Sequence, residues 1–225
     1  MKIGILQTGH APDEVRDELG DVNDFFIRLL DGQDFTFDTY AVVDGDFPDG
    51  PTDCDGWLIT GSKHGAYEDH PWIPPLETLI RDVYAAGVPL VGICFGHQII
   101  AQALGGRVEK FDGGWAVGRQ TYDWQGKEVA LNAWHQDQVT ALPKDATPLA
   151  SNAHCENAAL VYDNRIFTLQ AHPEFGDQMI DGLIQARAGS VPPDLIAQAK
   201  TNLGKDNHNA RLAAQIGTFF KERHL

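Results

Sequence analysis

"VPLVGICFGHQIIAQALGG", residues 88–106, runs from a largely apolar stretch through a cysteine set between two glycines into a segment that reads as a helix. The stretch before Cys94 is apolar on both faces, as expected of a central strand in a parallel sheet covered by helices. Gly92-Ile93-Cys94-Phe95-Gly96 has the shape of the G-x-S-x-G nucleophile elbow with sulfur replacing oxygen. Such an elbow exposes its nucleophile at the carboxyl end of the sheet, where open α/β folds place their sites. The helix ahead, "HQIIAQAL", is stopped by Gly105 and Gly106. A helix N-terminus of this kind favours a thiolate and can bring a cysteine pKa from about 8.5 into the range of roughly 3.5 to 7.5.

Upstream, Ile3 to Leu6 read as a buried first strand ending in a turn at Gly9. Asp21 caps a helix whose Val22, Phe25, Phe26, Leu29 and Leu30 share one face before Gly32 ends it. The alternation in "FTFDTYAVV" predicts a second strand near Phe35 to Val43, and "DFPDGPTDCDG" is a surface loop. "GWLIT" is a third strand. Trp72, Leu76, Leu79, Ile80, Val83 and Tyr84 then form a helical stripe, with Pro74 and Pro75 in its first turn and Gly87 at its end. Strands alternating with helices over the first hundred residues predict a doubly wound α/β core.

Downstream, Arg107 to Gln170 break into short β-rich pieces, among them "GGWAVGRQTYDW", "EVALNAW", "QVTAL", "TPLAS", "AALVY" and "RIFTLQ", a meandering section attached to the same core. After His172 the chain turns helical again, in "DQMIDGLIQARA" and "NARLAAQIGTFFKER", so residues 1–225 are expected to form a single domain that includes the helices of about 177–225.

Whole-chain properties narrow the function classes. With 225 residues and 43% hydrophobic content the chain can bury a sizeable core. The 17 Lys and Arg against 32 Asp and Glu leave a net charge of −15, which repels phosphate backbones and anionic membrane surfaces, so neither nucleic acid nor membrane is an expected partner. Three cysteines without a C-x-x-C pair suit a reducing compartment, and no structural zinc or other metal is expected. "MKIGILQTG" lacks signal-peptide features and no apolar stretch approaches roughly 20 residues, so a soluble cytoplasmic protein is expected.

An isolated cysteine is read first as a buried structural residue. That reading is kept for Cys54, in a polar loop, and for Cys155, whose neighbours His154 and Glu156 suggest a solvated turn. For Cys94 the elbow reverses it. A thiolate nucleophile needs a base, and the base needs an orienting group. "LQAHPEF" offers both: in an extended segment His172 and Glu174 point the same way, and a carboxylate there can hold the imidazole's tautomer.

These residues resemble the class I glutamine amidotransferases. The cysteine elbow "GICFGHQ" matches the family's G-x-C-x-G-x-Q, and "AHPEF" matches its His-Pro-Glu at the end of a late strand. "LITGS" and "AWHQDQVTALP" also look like family segments, so the resemblance covers nearly the whole chain. It implies a flavodoxin-like fold and hydrolysis of glutamine without a cofactor: Cys94 attacks the γ-carbonyl to give a γ-glutamyl thioester, His172 shuttles protons, and Glu174 orients His172. It further implies an oxyanion site from the Phe95 amide and the Gly61-Ser62 loop, and substrate contacts from Gln98, Gln136 and Asp137. Two departures stand out: Gly61-Ser62-Lys63 replaces the family's frequent Gly-Gly-Pro, and Trp134-His135-Gln136-Asp137 replaces Ser-His-Gly-Asp. His135 is expected to border the pocket and is equally readable as a structural histidine.

The roughly fifty residues after the His-Pro-Glu read as helical, so no fused acceptor domain is expected and ammonia transfer would involve a separate synthetase chain. "LITGSKHGAYEDHPWI" is closer to free-standing members, some of them similar to γ-glutamyl peptidases. Three readings follow: a glutaminase or amidotransferase subunit, a hydrolase of γ-glutamyl compounds, and a non-enzymatic binding module. A protease of the related cysteine-elbow superfamily is disfavoured by Gln98 and the His-Pro-Glu context.

Overall fold

The computed structural model describes residues 1–224 of the chain. In chain order the first half contains β1 (Lys2–Leu6), α1 (Asp13–Leu19), α2 (Val22–Leu29), β2 (Thr36–Tyr40), β3 (Gly56–Ile59), α3 (Ile73–Ala86), β4 (Leu90–Ile93) and α4 (Phe95–Ala103). Then follow β5 (Arg107–Lys110), β6 (Ala116–Trp124), β7 (Lys127–His135), β8 (Asp137–Ala141), β9 (Ala146–Ser151), β10 (Ala159–Tyr162) and β11 (Ile166–Leu169). Helices α5 (Asp177–Arg187), α6 (Pro193–Asn202) and α7 (Asn209–Glu222) close the described chain.

Nine strands share one sheet in the order β2-β1-β3-β4-β11-β10-β9-β6-β7. The run from β2 to β11 is parallel, and the remaining pairings are antiparallel. The β-rich section is therefore a continuation of the α/β sheet, and β5 pairs with β8 as a separate ribbon. The sequence expectation of a mainly parallel sheet holds for this flavodoxin-like half, with helices on both faces. Alternation along the buried strands divides the core accordingly. Val91 and Ile93 face a cluster with Phe26, Ile216 and Phe219, whereas Leu90 faces one with Leu76, Ile80 and Ile99.

Local chemistry accounts for the boundaries. Asp21 caps α2 in a reciprocal capping box with Asp24, and Gly87 ends α3 in the left-handed region at φ 69°. The second strand stops at Tyr40, short of the expected Val43, because Val42–Asp44 wind into a 3-10 turn closed by Gly45 at φ 89°. Cys155 is a buried structural residue, as expected, with Glu156 exposed beside it. The Cys155 amide donates to Asn152 Oδ1 at 2.7 Å, and burial pushes its thiol up to about 12. Cys54 is buried as well. Among the described residues, no helix is long and apolar enough to cross a membrane.

The elbow glycines are fixed by packing. A Cβ on Gly92 would stand 2.6 Å from the Gly96 carbonyl and from Ile100 Cδ1, and one on Gly96 would collide with the Ile59 carbonyl oxygen. Backbone cannot yield as a flexible side chain does, so Gly96→Ala is expected to destabilise the fold by at least ~1–3 kcal/mol. Thermal and denaturant unfolding would register this, and an unchanged midpoint would contradict such a close approach of α4 to β3.

Candidate active site

Strand β4 delivers Cys94 to the carboxyl edge of the sheet, between β3 and β11. Its amide donates to Leu169 O at 2.8 Å, and the next turn is anchored by Gly96 N–H to Thr60 O at 3.1 Å. Cys94 itself adopts φ 52° and ψ −100°, a left-handed backbone that a non-glycine residue rarely occupies. Such strain persists only where surrounding structure enforces it. Here the neighbouring strand and the first turn of α4 do so. The side chain is 5% exposed and opens into the cleft described below.

His172 lies just beyond β11, the neighbour of β4, which explains how residues distant in sequence meet. Its backbone amide donates to Asn132 O at 2.8 Å, and Asn132 Nδ2 donates to Phe175 O at 2.9 Å, so β7 pins both ends of the His-Pro-Glu-Phe turn. The imidazole stacks on Phe175 with centroids 3.8 Å apart and planes 2° off parallel. Its Nδ1 pairs with Glu174 Oε1 at 2.7 Å, and both side chains are buried. The imidazole and Cys94 flank the same backbone at Gly61 and line one recess. Burial opposes a charged imidazole, but the Glu174 carboxylate, hydrogen-bonded to it, and the neighbouring Cys94 outweigh that cost, and the His172 pKa is pushed up to about 10. Sequence reasoning anticipated all three side chains, and the fold brings them together.

Gly61 packs directly against this pair: a Cβ there would stand 2.9 Å from His172 Cε1 and 3.7 Å from Cys94 Cβ. The Gly61-Ser62 loop is held by Thr8 Oγ1 donating to Gly61 O at 3.1 Å and by Ser62 Oγ donating to Thr8 O at 2.7 Å. Among the described residues neither the Ser62 nor the Phe95 amide donates to a protein acceptor. The Phe95 ring points elsewhere, buried against Trp72.

Residues the sequence reading placed at the substrate divide in two. Gln98, Gln136 and Asp137 all line a cavity of about 570 Å³ that reaches Cys94. However, both Gln98 amide protons are used internally, donating to Asp137 O at 2.8 Å and Gln170 Oε1 at 3.1 Å. Gln136 Nε2 donates to Phe111 O at 3.4 Å. The Asp137 carboxylate lies beside Tyr67, whose hydroxyl is pushed up to about 12 by burial and by that negative charge. Burial in turn raises the Asp137 pKa. His135 is neutral: burial depresses its pKa to about 3, Nδ1 donates to Asp137 O at 3.2 Å, and Nε2 is buried without a partner.

Several residues of the site have no sequence signature. Gln170 is fully buried and donates from Nε2 to Cys94 Sγ at 3.7 Å, while its oxygen accepts from Gln98. Asn132 acts through the backbone of the His172 turn. Lys63 and Arg187 border the cleft, and neither has an ion-pair partner among the described residues. A smaller recess shares Ser62, Lys63, Cys94, Trp134 and Arg187 with this cavity and takes apolar lining from Ala11, Val22, Phe175, Met179 and Leu183.

Comparisons with known proteins show the family and the fold. A family model described as glutamine amidotransferase class-I matches residues 46–183. Gamma-glutamyl peptidase 4 of Arabidopsis thaliana is 28% identical over 222 residues, covering 91% of this chain and 88% of its own. A glutamine-hydrolyzing GMP synthase of Azoarcus sp. (strain BH72) is 35% identical over 170 residues, which span 64% of this chain and 32% of the synthase. Among solved structures, a glutamine amido transferase from Methylobacillus flagellatus superposes with a TM-score of 0.75 at 23% identity, covering 100% of this chain and 95% of the other, a likeness of fold.

Proposed function

Since the chain belongs to the class I glutamine amidotransferase family, we propose that it hydrolyses a γ-glutamyl amide bond through a Cys94 thioester, with glutamine as the simplest substrate. The observation that carries this reading is the buried Cys94, His172 and Glu174 group on a strained elbow. Cys94 Sγ, its proton passed to His172, attacks the γ-carbonyl carbon. The oxygen that becomes negative is met by the Phe95 amide and an amide of the Gly61-Ser62 loop, donors whose individual loss typically costs about 100- to 1,000-fold. Protonated His172 gives its proton to the departing nitrogen as the C–N bond breaks, releasing ammonia from glutamine. The neutral imidazole then takes a proton from water, which attacks the thioester and frees glutamate and the thiol. Glu174 holds His172 in the required tautomer and stabilises its charged form. No step draws on a cofactor.

The cavity beside Cys94 suits the γ-glutamyl group. Gln98, Gln136 and Asp137 supply its polar wall, and Lys63 and Arg187 offer cationic partners for a carboxylate in a chain of net charge −15. The largely apolar recess that adjoins this cavity at Cys94 favours a second reading, in which the departing amine is larger than ammonia and the substrate is a γ-glutamyl peptide. The curated relative named as a gamma-glutamyl peptidase, aligned over most of both chains, points the same way. A separate synthetase chain would be an acceptor only under the first reading.

A panel of glutamine and several γ-glutamyl peptides, assayed together for ammonia, free amine and glutamate, separates the two. Ammonia and glutamate in equal amounts from glutamine support the first reading; release from peptides alone selects the second. Absence of glutamate from every member of the panel would overturn both and leave a binding module.

A further inference from the structure

The loop between β3 and α3 carries a group of side chains that the proposed reaction does not use. His64, Glu68 and His70 each turn one potential ligand atom inward, and these atoms lie within 4.8 Å of one another. His64 Nδ1 stands 3.3 Å and His70 Nε2 2.8 Å from the same oxygen, Glu68 Oε2. Two imidazoles and a carboxylate converging on one point form a donor set that suits a borderline first-row cation rather than Mg²⁺ or Ca²⁺, which prefer oxygen alone. In a tetrahedral zinc site with ligand distances of about 2.0–2.2 Å, ligand atoms are roughly 3.3–3.5 Å apart, so small side-chain rotations open the group enough to admit the ion. Three protein ligands leave a fourth position for water.

Several features hold the group in place. Three ligands within seven residues need no distant element to assemble. The His70 ring stacks on Trp72 with planes 13° apart, the His64 ring meets His70 edge-on at 4.2 Å, and the Glu68 amide donates to Gly65 O at 3.1 Å. The chain's net charge of −15 also attracts cations.

We propose that His64, Glu68 and His70 form a binding site for a zinc-class divalent cation at the rim of the cleft. The sequence expectation of no metal rested on the absence of paired cysteines, which speaks only to thiolate sites; the H-x-x-x-E-x-H spacing supplies a different donor set. The site is tied to the Ser62 loop, because the His64 amide donates to Ser62 Oγ at 3.2 Å and that hydroxyl donates to Thr8 O. A bound ion would brace this loop from its outer side.

The test is titration with Zn²⁺, followed by calorimetry, and with Co²⁺, followed by its visible absorption, in full-length Cys94→Ser protein so that the cleft thiol cannot supply an alternative ligand. The expected result is one ion per chain, a tetrahedral-type Co²⁺ spectrum, and affinity reduced at least about tenfold in Glu68→Gln and in His70→Gln. Both substitutions lie on an exposed or half-buried loop, and circular dichroism checks that the variants remain folded. Absence of binding at equimolar metal would overturn the proposal, as would affinity and spectrum unaltered by both substitutions.

Discussion

Cys94→Ser is expected to lower the hydrolysis of glutamine or γ-glutamyl peptides by about 10⁴-fold or more while leaving the folded protein intact. The substitution exchanges one small side chain for another on the same strained backbone, so Gln170, Leu169 and the Gly96 contacts stay in place. A serine hydroxyl is a much weaker nucleophile than a cysteine thiolate at neutral pH, and nucleophile loss in a catalytic triad removes most of the rate enhancement. The measurement is a paired one, turnover with a thermal midpoint. Unchanged turnover would remove Cys94 from the chemistry, whereas a collapsed midpoint would indicate that the thiol is structural.

Glu174→Gln should cost about 10² to 10⁴ in kcat, the range for general acid–base catalysis and for loss of an orienting carboxylate. The pH profile separates this effect from simple damage. In the native chain the protonated form of His172 exists below its pKa of about 10, so activity that depends on it is lost as pH rises through that value. Removing the Glu174 charge takes away a principal cause of the upward shift, and the alkaline limb of the rate profile should move down in pH. Stability follows the same sign. A raised folded-state pKa gives a contribution that is complete below the unfolded value of 6.5 and disappears as pH rises through about 10, so unfolding free energy should decline across that window less steeply in the variant. An alkaline limb that stays put would mean that another group controls it.

Much of this was legible in the sequence because it was written locally. The elbow needs glycines on both sides of Cys94, and the structure gives each a collision partner. His172 and Glu174 are near neighbours in an extended turn, so their common orientation also follows from spacing. What could not be read is carried by register. Asn132 and Gln170 matter because β7 passes the His172 turn and β11 lies beside β4, and neither pairing has a signature in the residues themselves. Helix α1 escaped notice because "DEVRDEL" buries only Val15, and β5 because "RVEK" buries only Val108. Gln98 shows the remaining difficulty: a motif places it at the pocket, but only the three-dimensional hydrogen bonds reveal that its amide protons hold Asp137 and Gln170.

The most direct test of the central claim is intact-protein and peptide mass spectrometry after brief exposure to 6-diazo-5-oxo-norleucine, a glutamine-mimicking electrophile. The account predicts one adduct per chain, located on Cys94, with labelling slowed by excess glutamine or γ-glutamyl peptide and strongly reduced in a His172→Gln variant. Labelling of Cys54 or Cys155 in its place, or a Cys94 that stays unmodified while the protein is folded, would contradict it.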